Sequence, residues 1–166
     1  MKILISPAKS LDFQKSLPTE RFTEPNFIDE AIHINSILNK KSPKALQKLM
    51  NISEKLAQLN WDRNQNFSLT ESKEQKKRAA IFAFNGDVYS GFDVYTLPEE
   101  KIDKIQNQLR ILSGLYGMLR PLDQIQPYRL EMGTKISIGS NNDLYSFWNK
   151  KVTELLKVEL IQDELV

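Results

Sequence analysis

The residues around Gly114 and Gly117 combine glycines and arginines in a pattern that suits anion binding. The two glycines are three positions apart, and Arg110 and Arg120 flank them. A helix that ends just before the first glycine, followed by a tight turn, would leave several backbone N–H groups unpaired in a small concavity. Guanidinium groups beside such a turn hold phosphate well through paired hydrogen bonds. The pattern therefore predicts a phosphate site at this turn.

A helix-hairpin-helix element, which holds the DNA backbone without reading its bases, works by the same arrangement. The usual element separates its two hairpin glycines by one residue, whereas Leu115 and Tyr116 intervene here. The alternative is that the glycines end a helix and let two helices pack closely. Arg129 follows nearby and adds a third planar donor to the same part of the sequence.

Two carboxylates near these residues raise the alternative of an enzyme. Base-excision glycosylases flip a damaged base into a pocket and cleave its glycosidic bond. Asp87, which follows an Asn-Gly pair, and Glu131, which lies beside Arg129, are the candidate catalytic residues. The structural alternative is that Asp87 completes a turn and that Glu131 pairs with Arg129 or Arg120.

A metal site is not predicted, and neither is a cofactor. The chain contains no cysteine, and His33 is its only histidine. These counts exclude sulfur-ligated zinc and iron–sulfur clusters and leave no conventional histidine site. An iron site made of carboxylates alone remains open, but the spacing of its candidates does not favour it; they are Asp87, Asp123, Glu131 and Asp143.

A short basic run and a pair of aromatic residues are further candidates for nucleic-acid contact. The basic run is interleaved with glutamates, so a charged helix face in water explains it equally well. Its members are Lys73, Lys76, Lys77 and Arg78. Tyr89 and Phe92 flank a glycine and would suit stacking on an unpaired base, although core packing is the commoner role of such residues.

Length and composition limit the kind of fold that can position these residues. A chain of 166 residues with 40% hydrophobic residues has enough material for one core, so a single domain over residues 1–166 is predicted. No apolar stretch reaches the 18 residues of a membrane span, and the N-terminus lacks the features of a signal peptide. We therefore expect a cytoplasmic protein with no membrane partner. Its net charge of +2 permits a polyanionic partner without requiring one.

Hydrophobic periodicity predicts a mixed α/β fold, with a central sheet of short strands surrounded by helices. Strands are predicted at 2–5, 79–84 and 135–138. An irregular connection is predicted at 11–26, where two prolines and mixed polar residues occur. Helices are predicted at 27–39, 43–50, from Ser53 onward, at 97–112 and at 144–160.

Four motifs in the order seen here resemble the YaaA peroxide-stress family. They are Ser6-Pro7-Ala8-Lys9, the segment from Phe84 to Gly91, the segment from Leu112 to Gly117, and the segments from Arg120 to Asp123 and from Gln126 to Gly133. The resemblance covers essentially the whole chain. Members of the family usually continue with a further basic segment, so this chain resembles an N-terminal portion, truncated at its C-terminus.

The resemblance implies a function and a set of residues. It implies a bacterial protein induced by hydrogen peroxide that limits free intracellular iron and so protects DNA and protein. It also implies a positively charged cleft that binds duplex or distorted DNA without sequence preference. By the matching motifs, Lys9, Arg120, Tyr128 and Arg129 belong on the cleft wall. A non-enzymatic DNA-binding protein, a base-excising enzyme and a protein that acts on iron through a partner are the competing hypotheses, and no oligomeric state is predicted.

Overall fold

The computed structural model describes residues 1–68 and 76–161. Lys73 of the basic run lies outside these ranges. Within them the chain folds as a mixture of helices and short strands, so the predicted mixed α/β class is confirmed. No helix in these two ranges combines the length and apolarity needed to cross a membrane.

Local sequence signals explain where several helices begin. Ser42 precedes a proline at the first helical position, and its Oγ accepts a hydrogen bond from the Ala45 N–H. Ser53 caps the next helix in the same way, through the Leu56 N–H. The helices of the described residues are α1 (Ile28–Leu38), α2 (Pro43–Met50), α3 (Glu54–Asn66), α4 (Ala80–Ala83), α5 (Asp87–Phe92), α6 (Glu99–Gln108) and α7 (Leu144–Leu160).

The strands of residues 1–68 and 76–161 are short and form three small sheets. They are β1 (Ile3–Ile5), β2 (Ser10–Leu11), β3 (Arg78–Ala79), β4 (Phe84–Asn85), β5 (Leu109–Ser113), β6 (Gly117–Leu119) and β7 (Gln124–Ile125). In the largest sheet β5 lies between β1, which is parallel to it, and β6, which is antiparallel. The other two sheets are the antiparallel pairs β2–β4 and β3–β7.

The parallel pairing of β1 with β5 positions the functional site. Ile3 lies opposite Leu109 and Ile5 opposite Ile111. Because parallel strands end at the same edge of a sheet, the loop that begins at Ser6 and the turn that begins at Gly114 leave the sheet together. The core packs beside this edge and includes Tyr116, Phe82, Ile111 and Trp148.

The helix-hairpin-helix element predicted at Gly114 is wrong. Residues Leu109–Ser113 form strand β5, and Ser113 pairs with Gly117 across a turn that leads into β6. The glycines therefore join two strands of a β-hairpin rather than two helices. The helix predicted to continue to residue 112 ends at Gln108, because the next residues, Leu109–Ser113, form a strand that pairs with β1.

Two predicted strands are also absent. The buried run from Ala80 to Ala83 is a single helical turn between β3 and β4. Its first two N–H groups donate to the carbonyl oxygens of Asp123 and Pro121, so tertiary hydrogen bonds select this conformation. Residues 135–138 form no strand, and only an isolated bridge between Ile138 and Asn141 occurs there.

The core holds three buried tyrosines whose ionisation opposes folding. Burial raises the pKa of Tyr89, Tyr116 and Tyr128 well above the ordinary value of 10.0. Unfolded tyrosines lose their protons above about pH 10, whereas these folded side chains keep theirs. Stability is therefore fully present below that pH and falls as the pH rises above it. We expect denaturant unfolding between pH 8 and pH 11 to show this loss; an unchanged free energy of unfolding over that range would contradict it.

Candidate functional site

A cleft of about 870 Å³ opens at the edge of the sheet where β1 and β5 end. The loop Ser6–Lys9, the segment Tyr128–Gly133 and one face of α7 form its walls. Two of the predicted site motifs therefore meet at this cleft, although a long stretch of sequence separates them. A cleft of this size matches the pockets that proteins use for small ligands.

Two cations at this cleft contact the same carboxylate. Lys9 Nζ lies 3.2 Å from Glu131 Oε1, and Arg129 Nη2 lies 3.6 Å from the same oxygen. The Lys9 and Glu131 side chains are 64% and 48% exposed, so water screens their attraction. The Arg129 side chain is 17% exposed, so water screens its charge less. The two cations thus share one carboxylate in a position that an anionic ligand could reach.

Helix α7 supplies the apolar wall of the cleft. Its first residue follows Asp143, whose carboxylate accepts the Ser146 N–H in a reciprocal capping box. These hydrogen bonds lower the pKa of Asp143. Trp148 and Val152 line the cleft one helical turn apart. Tyr145 also lines it and is 62% exposed, so an aromatic ring stands at the cleft with its surface in water.

Tyr128 lies deeper in the same cleft and is buried. Its hydroxyl shares a hydrogen bond of 2.7 Å with Ser113 Oγ, and its ring packs edge-on against Tyr116. The side chain therefore ties the Tyr128–Gly133 segment to strand β5. It positions Arg129 and Glu131, which follow it in the sequence.

Arg110 and Arg120 do not line this cleft. Arg110 is buried, and its Nε donates to Glu159 at 2.7 Å. Arg120 donates from Nε to the buried carboxylate of Asp123 at 3.1 Å and from Nη2 to the Glu24 carbonyl at 3.0 Å. Both guanidinium groups thus stabilise the fold. Their contact with DNA stays a prediction that these positions do not favour.

The turn at Gly114 does not present the unpaired amides that the sequence predicts. The N–H groups of Leu115 and Tyr116 both donate to Ser113 Oγ, at 3.2 and 3.0 Å. Gly114 is needed because a Cβ there would lie 2.3 Å from the Leu130 carbonyl oxygen. Gly117 has a φ of +70°, and its missing side chain leaves room for the Trp148 ring. A role for either glycine in DNA contact stays a prediction.

The remaining candidates have structural contacts of their own. Asp87 is the exposed first residue of α5 and does not line the cleft. Tyr89 packs on Phe84 in the core, and its hydroxyl donates to the Ser6 carbonyl oxygen at 2.9 Å. Arg78 of the basic run is buried and donates to the Tyr95 hydroxyl and to a backbone carbonyl.

Carboxylate and histidine side chains are dispersed over the described residues. No group of three or more that could hold a metal ion occurs within 1–68 and 76–161. Asp123 is bonded to Arg120 and Thr23, Asp143 caps α7, and Glu131 contacts two cations.

A charged residue that sequence patterns did not single out lies near the cleft. Arg63, in the last turn of α3, lines a neighbouring cleft of about 380 Å³ together with Pro127 and Lys76. Burial and then the positive charge of Arg129 lower the pKa of Arg63. The sequence offers one weak indication that Arg63 has a special position: it lies between Asn60 and Asn64, and both of these polar side chains are buried.

Comparison with known proteins places the chain in a family. A family model described as "Peroxide stress protein YaaA" matches residues 1–166. UPF0246 proteins of Flavobacterium johnsoniae and Flavobacterium psychrophilum are 53% and 55% identical to it over 165 residues, which cover 99% of this chain and 65% of each relative. A UPF0246 protein of Hahella chejuensis is 48% identical over 160 residues, which cover 96% of this chain and 62% of that protein. The chain thus spans about two thirds of the length of these relatives, or slightly less. The match of the family model over residues 1–166, together with these identities, leads to one conclusion: the chain belongs to the YaaA peroxide stress protein family.

Proposed function

We propose that the chain binds DNA during peroxide stress, with little preference for base sequence, through the cleft that Lys9 and Arg129 share. The observation that carries the proposal is the convergence of these two cations, distant in sequence, on the single carboxylate of Glu131. A phosphate group that displaces the half-exposed glutamate would gain both cations at once. Such backbone contacts hold DNA in place without reading its sequence.

The apolar wall of the cleft supports a preference for distorted DNA. Tyr145 offers an exposed ring at the cleft, and base–aromatic stacking tolerates any base. A volume of about 870 Å³ is large enough to receive one unpaired base beside the bound backbone. Fully paired DNA would reach only Lys9 and Arg129, whereas an unpaired base adds the stacking contact.

The proposal includes the limitation of free intracellular iron, with the resulting protection of DNA and protein, that the family resemblance implies. We propose that DNA binding comes first and that a partner molecule then lowers the concentration of free iron. Glu131 is a poor metal ligand in this arrangement, because its carboxylate already contacts Lys9 and Arg129.

Replacing Lys9 with glutamine is expected to weaken DNA binding about tenfold at low salt. The variant removes one phosphate contact, so the slope of log affinity against log salt concentration should also fall by about one. Fluorescence anisotropy with a labelled duplex that contains one unpaired base measures both quantities. A fully paired duplex of the same length should bind more weakly than the bulged one.

Lys150→Gln is the matched control, because it removes the same charge from a lysine that is 85% exposed and does not line the cleft. Equal effects of the two substitutions, or binding that does not respond to salt, would contradict the proposal. Release of a free base from an oxidised duplex, abolished by Glu131→Gln, would instead favour the base-excising enzyme.

A further inference from the structure

Two arginines lie between the larger cleft and its smaller neighbour. Arg63 lines the smaller cleft beside Pro127, and Arg129, two residues after that proline, lines the larger one. Lys76 lines the smaller cleft, and Lys9 lines the larger. Each cleft thus has an arginine and a lysine in its wall, together with Asp12 in the smaller cleft and Glu131 and Asp143 in the larger one.

Neither arginine has a carboxylate to itself within the described residues. Arg129 contacts Glu131, at 3.6 Å, and that carboxylate lies nearer to Lys9, at 3.2 Å. Arg63 donates to the neutral Asn60 Oδ1 at 3.2 Å, and within residues 1–68 and 76–161 no carboxylate forms a salt bridge with it. The pKa of Arg63 falls below its ordinary value because of burial and of the Arg129 charge. Like charges repel each other, so an anion between the two guanidinium groups would be attracted by both.

An unsatisfied nitrogen of Arg129 points to the same ligand chemistry. Buried side-chain nitrogen and oxygen atoms almost always have hydrogen-bond partners. Arg129 Nε is one of two such atoms in the described part of the chain that have none, and the other, Asn64 Nδ2, belongs to a residue that lines neither cleft. The Arg129 guanidinium therefore has an N–H group that an acceptor with several oxygens would satisfy.

We propose that Arg63 and Arg129 form a phosphate-binding site that bridges the two clefts. Two planar guanidinium groups suit the several oxygens of one phosphate better than isolated lysines do. The site adds a second phosphate contact to the proposed function. It rests on the proposed function in one respect, namely that the phosphate belongs to a DNA backbone. A strand held there would place its neighbouring phosphates toward Lys76 on one side and Lys9 on the other.

Inorganic phosphate tests the site without DNA. We expect the side-chain Nε–H resonances of Arg63 and Arg129 to shift as phosphate is titrated into ¹⁵N-arginine-labelled protein, with sodium chloride as the ionic-strength control. Arg21, which is bonded to Glu99 and Asp103, is the internal reference and should not shift. Absence of a shift at both arginines, or an equal shift at Arg21, would overturn the proposal.

The variant Arg63→Gln separates binding from folding. It should weaken the binding of phosphate and of the bulged duplex about tenfold without lowering Tm. A merely structural arginine would lower Tm instead. Arg21→Gln is the matched control for the lost charge. If the unaltered protein binds DNA and Arg63→Gln matches Arg21→Gln, this site is wrong and the proposed function stands. If phosphate shifts both resonances while no DNA binds, the site holds a free phosphate compound and the proposed function fails.

Discussion

Replacing Gly114 with alanine is expected to lower the free energy of unfolding by about 3 kcal/mol and to abolish most DNA affinity. The new Cβ would lie 2.3 Å from the Leu130 carbonyl oxygen and 3.1 Å from the Glu131 carbonyl carbon. Both contacts are backbone atoms, so the segment that carries Arg129 and Glu131 must move. Urea unfolding followed by tryptophan fluorescence measures the loss, since Trp148 Nε1 donates to the Gly114 carbonyl oxygen at 2.9 Å.

Gly91→Ala is the control for this substitution. A Cβ at Gly91 meets no atom within 4 Å, and the residue lies inside helix α5, where alanine is the better helix former. We expect the control to be as stable as the original protein or slightly more stable. A Gly114→Ala variant that retains full stability would show that the hairpin does not press against the Leu130 backbone.

Replacing Arg120 with alanine is expected to destabilise the protein by about 3 kcal/mol. The Asp123 side chain is completely buried, and its carboxylate accepts hydrogen bonds from the Arg120 backbone N–H at 2.8 Å, from Arg120 Nε at 3.1 Å and from Thr23 Oγ1 at 2.6 Å. Removal of the guanidinium leaves a buried negative charge without its cation. Chemical denaturation monitored by circular dichroism measures the effect.

Lys9→Ala is the control for Arg120→Ala, because the exposed pair of Lys9 with Glu131 should contribute less than about 1 kcal/mol. Loss of DNA binding by the Arg120 variant is informative only at temperatures where the variant remains folded. If Arg120→Ala keeps its stability and still loses DNA affinity, Arg120 is a direct DNA contact, as the sequence motif predicts.

Helices α2 and α3 were predictable because their signals are local. Ser42 with Pro43 and Ser53 before an apolar stripe are start signals that need no tertiary contact. Helix α7 follows the same rule, with a cap at Asp143 and apolar residues at helical spacing. In each case the residues that begin the helix lie within one turn of the groups they bond.

The short apolar runs were not predictable from their own residues. Leu109–Ser113 and Ala80–Ala83 are almost entirely buried, so neither run alternates between polar and apolar side chains. Pairing of Leu109–Ser113 with β1, more than a hundred residues earlier, makes the first run a strand. This error converted a β-hairpin into a helix-hairpin-helix prediction.

The residues of the candidate site also divide into those that the sequence predicted and those that only the structure identified. The motifs named Lys9, Tyr128, Arg129 and Glu131, and all four line one cleft. Arg110 was equally attractive in sequence, but its carboxylate partner, Glu159, lies in the last turn of α7. Arg63 carried no motif and gained significance only because it lines a cleft together with Pro127, two residues before Arg129.

The amino-acid sequence by itself determined the helix starts, the mixed α/β class and the family, because caps, periodicity and motifs depend on residues that are close together in the chain. Only the tertiary structure decided which arginines pair inside the fold and which line a cleft. The physical reason is that a guanidinium group pairs with whichever carboxylate the fold brings within about 4 Å, and chain separation places no limit on that choice.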